Sequence, residues 1–409
     1  MGRAGKLILG MALVFGSGPV WADEPSSAEL NREISDLKAR LSALESKLAA
    51  KPASSAVSSE AAPGVSLPSG LAGVELTGFV DTAYNYNFNE PKDKTNDLRI
   101  FDTTANSFAI HNAELSLTKA VDESSPIGFG TVLMFGDDAE LTHSAGLFAG
   151  TDSVDLQQAY VNYLAPVGNG LDIKAGKMAT LIGAEVIESP ANWNYSRAFL
   201  FGYAIPFTHT GVRVSYPVSE TVTVTTGVNN GWDVANDTNI GKGIEAQVAW
   251  APSDELSFFL NGMYSPEVST ASMHSDRYLA DLVASYQATD ELAFMLNYDV
   301  GFQEDVAAFG ENATWQGIAL YTKYDLSDAW SLAGRYEFFR DYDGSRTPVG
   351  TDLKLQEITL TSQHQIHENL IARLEYRHDQ ANSPVFTRDS STTGEKNQDT
   401  VAVEFIMPF

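Results

Sequence analysis

Tyr216-Pro-Val-Ser219-Glu-Thr, Trp250-Ala-Pro-Ser253-Asp-Glu, Tyr286-Gln-Ala-Thr289-Asp-Glu and Tyr324-Asp-Leu-Ser327-Asp-Ala are one pattern written four times. A looser fifth copy is His364-Gln-Ile-His367-Glu-Asn. Positions 219, 253, 289, 327 and 367 stand 34, 36, 38 and 40 residues apart. Each copy ends one β-rich run and starts another, such as Leu256-Ser-Phe-Phe or Leu292-Ala-Phe-Met. Ser, Thr and Asp suit tight turns because their side chains bond nearby backbone amides. The aromatic three residues earlier suits a membrane–water boundary, where an amphipathic ring is at home.

Two earlier segments fit the same role, Asp122-Glu-Ser-Ser-Pro126 and Pro166-Val-Gly-Asn-Gly170, giving seven short turns. Between them lie eight longer polar segments: 89–105, 137–153, 182–207, 230–242, 266–276, 303–313, 341–351 and 380–398. Seven turns and eight loops join sixteen strands, with both chain ends on the short-turn rim. Short turns on one rim and long loops on the other is the asymmetry of a membrane β-barrel.

The strands alternate as a barrel wall should. Leu370, Ala372, Leu374 and Tyr376 oppose Arg373, Glu375, Arg377 and Asp379; Ile244, Ala246, Val248 and Trp250 oppose Glu245 and Gln247. Val212 and Val214 oppose His209 and Arg213, and Leu332 and Tyr336 oppose Arg335 and Glu337. A soluble sandwich also alternates, but a packed core rejects charges of both signs, whereas a water-filled lumen accepts them. The faces of 314–324 and 354–362 are ambiguous. The last ten residues, Thr400-Val-Ala-Val-Glu-Phe-Ile-Met-Pro-Phe409, place Val401, Val403, Phe405, Met407 and Phe409 on one face and Glu404 on the other. This reads as the closing strand, lipid-facing on its apolar side, with terminal Phe409 as the assembly signal. The expected fold is an all-β transmembrane barrel of about 16 antiparallel strands over residues 74–409.

Composition agrees. The chain has 409 residues, no Cys, and 26 Lys+Arg against 53 Asp+Glu. Disulfides and thiolate metal sites are therefore excluded, and the acidic balance argues against nucleic acid. Residues 1–22 read as a signal peptide: Arg3 and Lys6, an apolar core from Leu7 to Phe15, then Val20-Trp21-Ala22. Without its two basic residues the charge is 24 − 53 = −29. Leu30, Ile34, Leu37, Leu41, Leu44 and Leu48 form a heptad seam, so 23–50 reads as a short coiled-coil helix, a trimerising periplasmic stalk. Residues 51–73, rich in Ala, Ser, Pro and Gly, read as a flexible linker.

At Gly78-Phe-Val-Asp-Thr-Ala-Tyr-Asn-Tyr-Asn-Phe-Asn89, Asn96-Asp-Leu-Arg-Ile-Phe-Asp102, Asn106-Ser-Phe, Ala113-Glu-Leu-Ser-Leu117, Pro206-Phe-Thr-His-Thr-Gly-Val-Arg213 and Gly227-Val-Asn-Asn-Gly-Trp-Asp233 the chain resembles the OmpL-like β-barrel porins of Gram-negative outer membranes. The resemblance covers about residues 74–409. It implies an outer-membrane channel and carries no catalytic residues.

In a general porin the loop after the fifth strand folds inward and narrows the pore. Here that loop is 182–207, with Glu185, Glu188 and Arg197. The expectation is that Glu185 and Glu188 face Arg213, Arg335, Arg373 or Arg377 across the constriction, with Glu337 and Glu375 also lining it. Opposed charges would set up a transverse field that orients polar solutes. The net charge suggests mild cation preference, which the wall arginines oppose. Gly136-Asp-Asp-Ala-Glu140 and Asp341-Tyr-Asp-Gly344 offer oxygen ligands, but neither matches a full calcium loop, so turn chemistry is expected. His209 is read as a wall residue; no catalytic set, metal site or cofactor is expected. The function expected is passive diffusion of small hydrophilic solutes or ions through a homotrimeric channel embedded in outer-membrane lipid and lipopolysaccharide and delivered by the barrel assembly machinery. The alternatives are a structural link between barrel and periplasm, a substrate-specific channel, or a barrel enzyme.

Overall fold

A computed structural model describes residues 73–147, 153–237, 239–270, 273–306, 311–389 and 394–409. The signal peptide, coiled-coil stalk and linker expected over residues 1–72 lie outside the described residues. Sixteen strands follow in chain order: β1 (Val74–Asn87), β2 (Ser107–Lys119), β3 (Ile127–Phe135), β4 (Val154–Ala165), β5 (Leu171–Ala179), β6 (Thr208–Pro217), β7 (Val222–Asn229), β8 (Gly243–Ser253), β9 (Leu256–Thr270), β10 (Met273–Gln287), β11 (Leu292–Val306), β12 (Glu311–Ser327), β13 (Trp330–Asp341), β14 (Leu353–His367), β15 (Leu370–Ala381) and β16 (Asn397–Pro408). Every strand pairs with its sequence neighbours, and β1 pairs with β16, so the sheet is a closed barrel. Closure leaves no free edge, the one sheet arrangement that satisfies every ladder in lipid.

The repeated turn motif locks the short-turn rim through one hydrogen-bond pattern. Ser219 Oγ accepts from the amides of Thr221 and Val222 (3.3 and 3.1 Å). Thr289 Oγ1 accepts from Glu291 and Leu292 (3.2 and 3.1 Å), and Ser327 Oγ from Ala329 and Trp330 (3.4 and 3.2 Å). Asp122 Oδ1 serves the earlier turn, accepting from Ser124 and Ser125 (2.7 and 2.8 Å). Around this rim Trp250, Tyr286, Tyr324 and Trp330 stand exposed on the outer wall. The connections on the opposite rim are L1 (88–106), L2 (136–153), L3 (180–207), L4 (230–242), L5 (271–272), L6 (307–310), L7 (342–352) and L8 (382–396).

Two loops are shorter than the sequence suggests. The segments 266–276 and 303–313 read as loops because they are polar and one carries Pro266. Instead β9 and β10 stay paired out to Thr270↔Met273, and β11 with β12 out to Val306↔Glu311. Polar composition there marks strand that the register continues beyond the apolar part of the wall, not loss of the ladder.

The wall faces are as the alternation requires. In β16, Phe405 and Met407 are 43% and 51% exposed, while Glu404 and Ile406 are 0%. The register also settles the two ambiguous strands. Tyr321 sits opposite inward Arg335, and Thr359 opposite the same arginine, so Trp315, Ala319 and Tyr321 of β12 and Leu353, Leu355 and Glu357 of β14 face inward. Apolar residues occupy both faces of these strands because the inner face packs against L3.

The seam between β1 and β16 ends on Phe409, whose amide donates to Gly78 O (2.9 Å) and whose carbonyl accepts from the Gly78 amide (3.0 Å). Deleting Phe409 removes both bonds, about 1 kcal/mol each, as well as a lipid-facing ring. The variant should show a lower urea midpoint for the folded band in heat-modifiable gel mobility, and less folded barrel in the outer membrane.

Candidate functional site

L3 enters the barrel after β5 and lies across its interior. An irregular segment leaves its backbone groups without ladder partners, and buried backbone groups must be satisfied. The charged inner wall of β13–β16 supplies the partners. Glu375 accepts from the amides of Tyr195 (2.7 Å) and Ser196 (3.0 Å). Glu337 accepts from the amides of Phe199 (2.7 Å) and Leu200 (2.5 Å). In the other direction Arg335 donates to Ser196 O (2.6 Å), Arg373 to Ser189 O (3.2 Å) and Asn192 O (2.8 Å), and Arg377 to Arg197 O (2.6 Å). Carboxylates meet loop amides and guanidiniums meet loop carbonyls, so the wall works as a two-sign clamp.

The C-terminal end of the loop is apolar. A π turn, Leu200–Ala204, puts Phe199, Leu200, Phe201 and Ile205 into one buried cluster with Trp315, Phe339, Leu353 and Leu355 of the wall. Trp315 Nε1 donates to Ala204 O (3.1 Å). Trp315 lies flat across Gly301, where a Cβ would come within 2.0 Å of its ring. From L1, Phe101 joins through Phe201 and Phe207, with ring centroids 5.5 and 5.8 Å apart.

The ion pairs are buried and networked. Arg335 bonds Glu185 and Glu357, both at 2.6 Å. Arg373 pairs with Glu404 (3.1 Å) and Arg377 with Asp379 (2.7 Å). Arg99 of L1 pairs with Asp102 and, at 2.7 Å, with Asp379. Burial alone pulls the Arg99 pKa down, but Asp102 and Asp379 outweigh it and leave it raised.

The residues singled out in the sequence fall into three groups. Glu185, Arg197, Arg335, Glu337, Arg373, Glu375 and Arg377 meet at the L3–wall contact. Glu185 touches Arg335 directly rather than facing it across a gap. Arg197 turns back on its own loop, donating to Val186 O, Tyr195 O and Ile187 O. Glu188 and Arg213 do not pair with each other. Glu188 accepts from Gln157 Nε2 (2.9 Å), and Arg213 bonds Glu245 (2.9 Å) and Ala179 O at the root of L3. Phe409 stands alone at the seam. Sequence reasoning missed Arg99, Asp102 and Glu357 as clamp members: the first two sit in the quoted 96–102 stretch without an assigned role, and Glu357 lies in an ambiguous strand.

His209 is buried in the wall, its ring nitrogens beside Thr180 Oγ1 (3.2 Å) and Gly231 O (3.3 Å). The Asp341 carboxylate accepts from the amides of Ser345, Arg346 and Thr347 at 2.9–3.0 Å, which is turn chemistry. Residues 137–141 form a short helix, α1 (Asp137–Leu141).

A closed sixteen-strand barrel with an apolar outer belt, a charged inner wall and a loop folded inside it is the build of a porin. A family model described as "Putative beta-barrel porin-2, OmpL-like" matches residues 73–409, and the chain belongs to that family. It is an outer-membrane porin, a channel by family and fold. No curated protein matches the sequence. Solved structures share the fold at low identity. The anion-selective porin from Comamonas acidovorans is 13% identical, with 82% of this chain and 99% of that one covered and a TM-score of 0.58. The outer-membrane channel DcaP of Acinetobacter baumannii is 12% identical, covering 82% and 97%, with a TM-score of 0.57. OmpT of Vibrio cholerae in its trimer form is 11% identical, covering 82% and 99%, with a TM-score of 0.55.

Arg335 has no exposed side-chain surface and holds two glutamates and the loop backbone. Removing one partner of a buried pair leaves uncompensated charge, at a cost of about 3–5 kcal/mol. Arg335→Ala should therefore free L3, seen as new protease cleavage within 182–207 of the folded protein and a lower urea midpoint, with the barrel still forming.

Proposed function

We propose that the chain is a diffusion porin for small hydrophilic solutes and ions, its lumen narrowed by L3. The observation that carries this reading is the two-sign clamp on the L3 backbone. It holds the loop against β12–β16, one side of the interior. The opposite inner wall, β4–β8, presents Tyr160, Asp172, Lys174 and Ser215, all half-buried and polar-ended, while Gln247 donates to Leu181 O at the start of L3 (3.3 Å). A narrowed aqueous path along that side suits solutes that need water and hydrogen-bond partners throughout. The clamp arginines and glutamates act here as loop anchors more than as free lining charges, because their valences are taken up by one another and by L3. The trimeric neighbour from Vibrio cholerae supports a homotrimer, and the lipid-facing belt and terminal Phe409 support lipid contact and delivery by the assembly machinery.

Planar-bilayer recording tests this. The refolded chain should give stepwise conductance, and absence of conductance at any voltage would overturn the reading. Removing 188–199 should raise the unit conductance severalfold. Lys174 Nζ lies 5.1 Å from the Tyr160 ring and makes no ion pair among the described residues. Lys174→Glu should shift the reversal potential in a salt gradient toward cation preference; an unchanged potential would remove the β4–β8 path.

A further inference from the structure

Trp232 of L4 carries two arginines. The Arg277 guanidinium of β10 lies 4.5 Å from its ring centroid, and that of Arg346 in L7 lies 4.8 Å away. Arg346 is also 5.1 Å from Trp315, and the two indoles meet edge to face at 6.2 Å. Cation–π contacts hold guanidiniums in place but leave their N–H donors free.

The acceptors around them are few. Arg346 Nε donates to Tyr203 O (2.7 Å), and its two terminal amino groups have no acceptor among the described residues. Arg277 Nε donates to Gln303 (3.0 Å), and its nearest carboxylate, Glu267, is 3.8 Å away. Glu267 is itself engaged by Ser265 Oγ (2.7 Å) and the Trp232 amide (3.4 Å). The other nearby acids are committed to backbone. Asp233 Oδ1 accepts from the amides of Phe207 and Thr208 (2.7 and 2.9 Å), and Asp341 from those of residues 345–347. Arg335, Arg373 and Arg377 each touch a carboxylate; Arg346 touches none. Burial, then the like charge of Arg277, pull the Arg346 pKa down to about 9, against the milder pull of Asp233, Asp341 and Glu267.

The geometry points to an oxyanion-binding site at the Trp232–Trp315 corner, with Arg277 and Arg346 as the binding pair and the carboxylate or phosphate group of a small solute as ligand. A planar guanidinium presents paired donors that match both oxyanions, which a lysine does not. The site lies at the loop end of the barrel, formed by L4, L7 and the distal ends of β10 and β12. A negatively charged solute would meet it although the chain as a whole is acidic. Entry of that solute rests on the porin reading; binding does not.

Isothermal titration of the full refolded chain in detergent with inorganic phosphate, and separately with acetate, at constant chloride, tests the site. Saturable binding of either anion is expected, the tighter one giving the ligand class. Arg346→Gln and Arg277→Gln should each weaken it at least tenfold, and Arg346→Lys should fall between. Arg388→Gln, at an exposed side chain of L8, should bind as wild type. No saturable binding of either anion to the wild-type chain, or wild-type affinity in Arg346→Gln, overturns the site. Should Arg346→Gln fail to give the folded gel band, Arg346→Lys and the wild-type titration decide. Binding without conductance would sink the porin reading and keep the site; conductance without binding would do the reverse.

Discussion

A loop inside a barrel must have its backbone polar groups bonded, and everything distinctive about this interior follows from that demand. Strands satisfy their own ladders; L3 cannot. A bare apolar wall would leave the amides of Tyr195, Ser196, Phe199 and Leu200 and the carbonyls of Asn192, Ser196 and Arg197 each short of a partner, at about 1–3 kcal/mol per group. The wall meets them with Glu375, Glu337, Arg373, Arg377 and Arg335. Charged partners make the stronger hydrogen bonds. Since the donors and acceptors on the loop alternate along its length, the wall needs both signs, and the two signs then neutralise each other.

That mutual neutralisation explains why so many charges tolerate burial. Isolated, each would carry a desolvation penalty of several kcal/mol. In place, Arg335 has two glutamates and Arg377 an aspartate, and Asp379 binds Arg99 of L1 as well as Arg377. The network therefore ties L1 and L3 to the same wall. The apolar cluster of Phe199, Leu200, Trp315 and Phe339 holds the C-terminal end of L3 without specific directions. Polar contacts fix the register of the loop, and apolar contacts fill the space behind it.

The fold was legible because its signals are local. Four of the seven turns declare themselves through a Ser, Thr or Asp that bonds amides two and three residues on, at Asp122, Ser219, Thr289 and Ser327. Strand faces read directly wherever charge alternates with an apolar residue, as in β15. Reading stayed ambiguous where the inner face is apolar too: in β12 and β14, Trp315, Ala319 and Leu355 face inward, and only the packing of L3 explains it. Loop lengths failed at L5 and L6, because polarity marks exposure rather than the end of pairing. The site was legible only in outline. Loop 182–207 and the arginine-bearing strands could be named, but Arg335–Glu185 and Glu375–Tyr195 join residues 150 and 180 positions apart. No periodicity encodes such a match.

Net charge is a poor guide to what an ion meets inside this protein. Charges locked in pairs present little field to a passing solute, because opposite signs within about 3 Å act as short dipoles that decay faster with distance than single charges. Those not locked in close pairs dominate instead. Among the described inward residues they include Lys174, with no ion pair, Arg277, with a carboxylate only at 3.8 Å, and Arg346 of L7, with none. All three are cationic, but Asp172, on the same inner wall as Lys174, is likewise without an ion pair among the described residues, so both signs line that side. Selectivity has to be argued from those few residues and their positions rather than from composition.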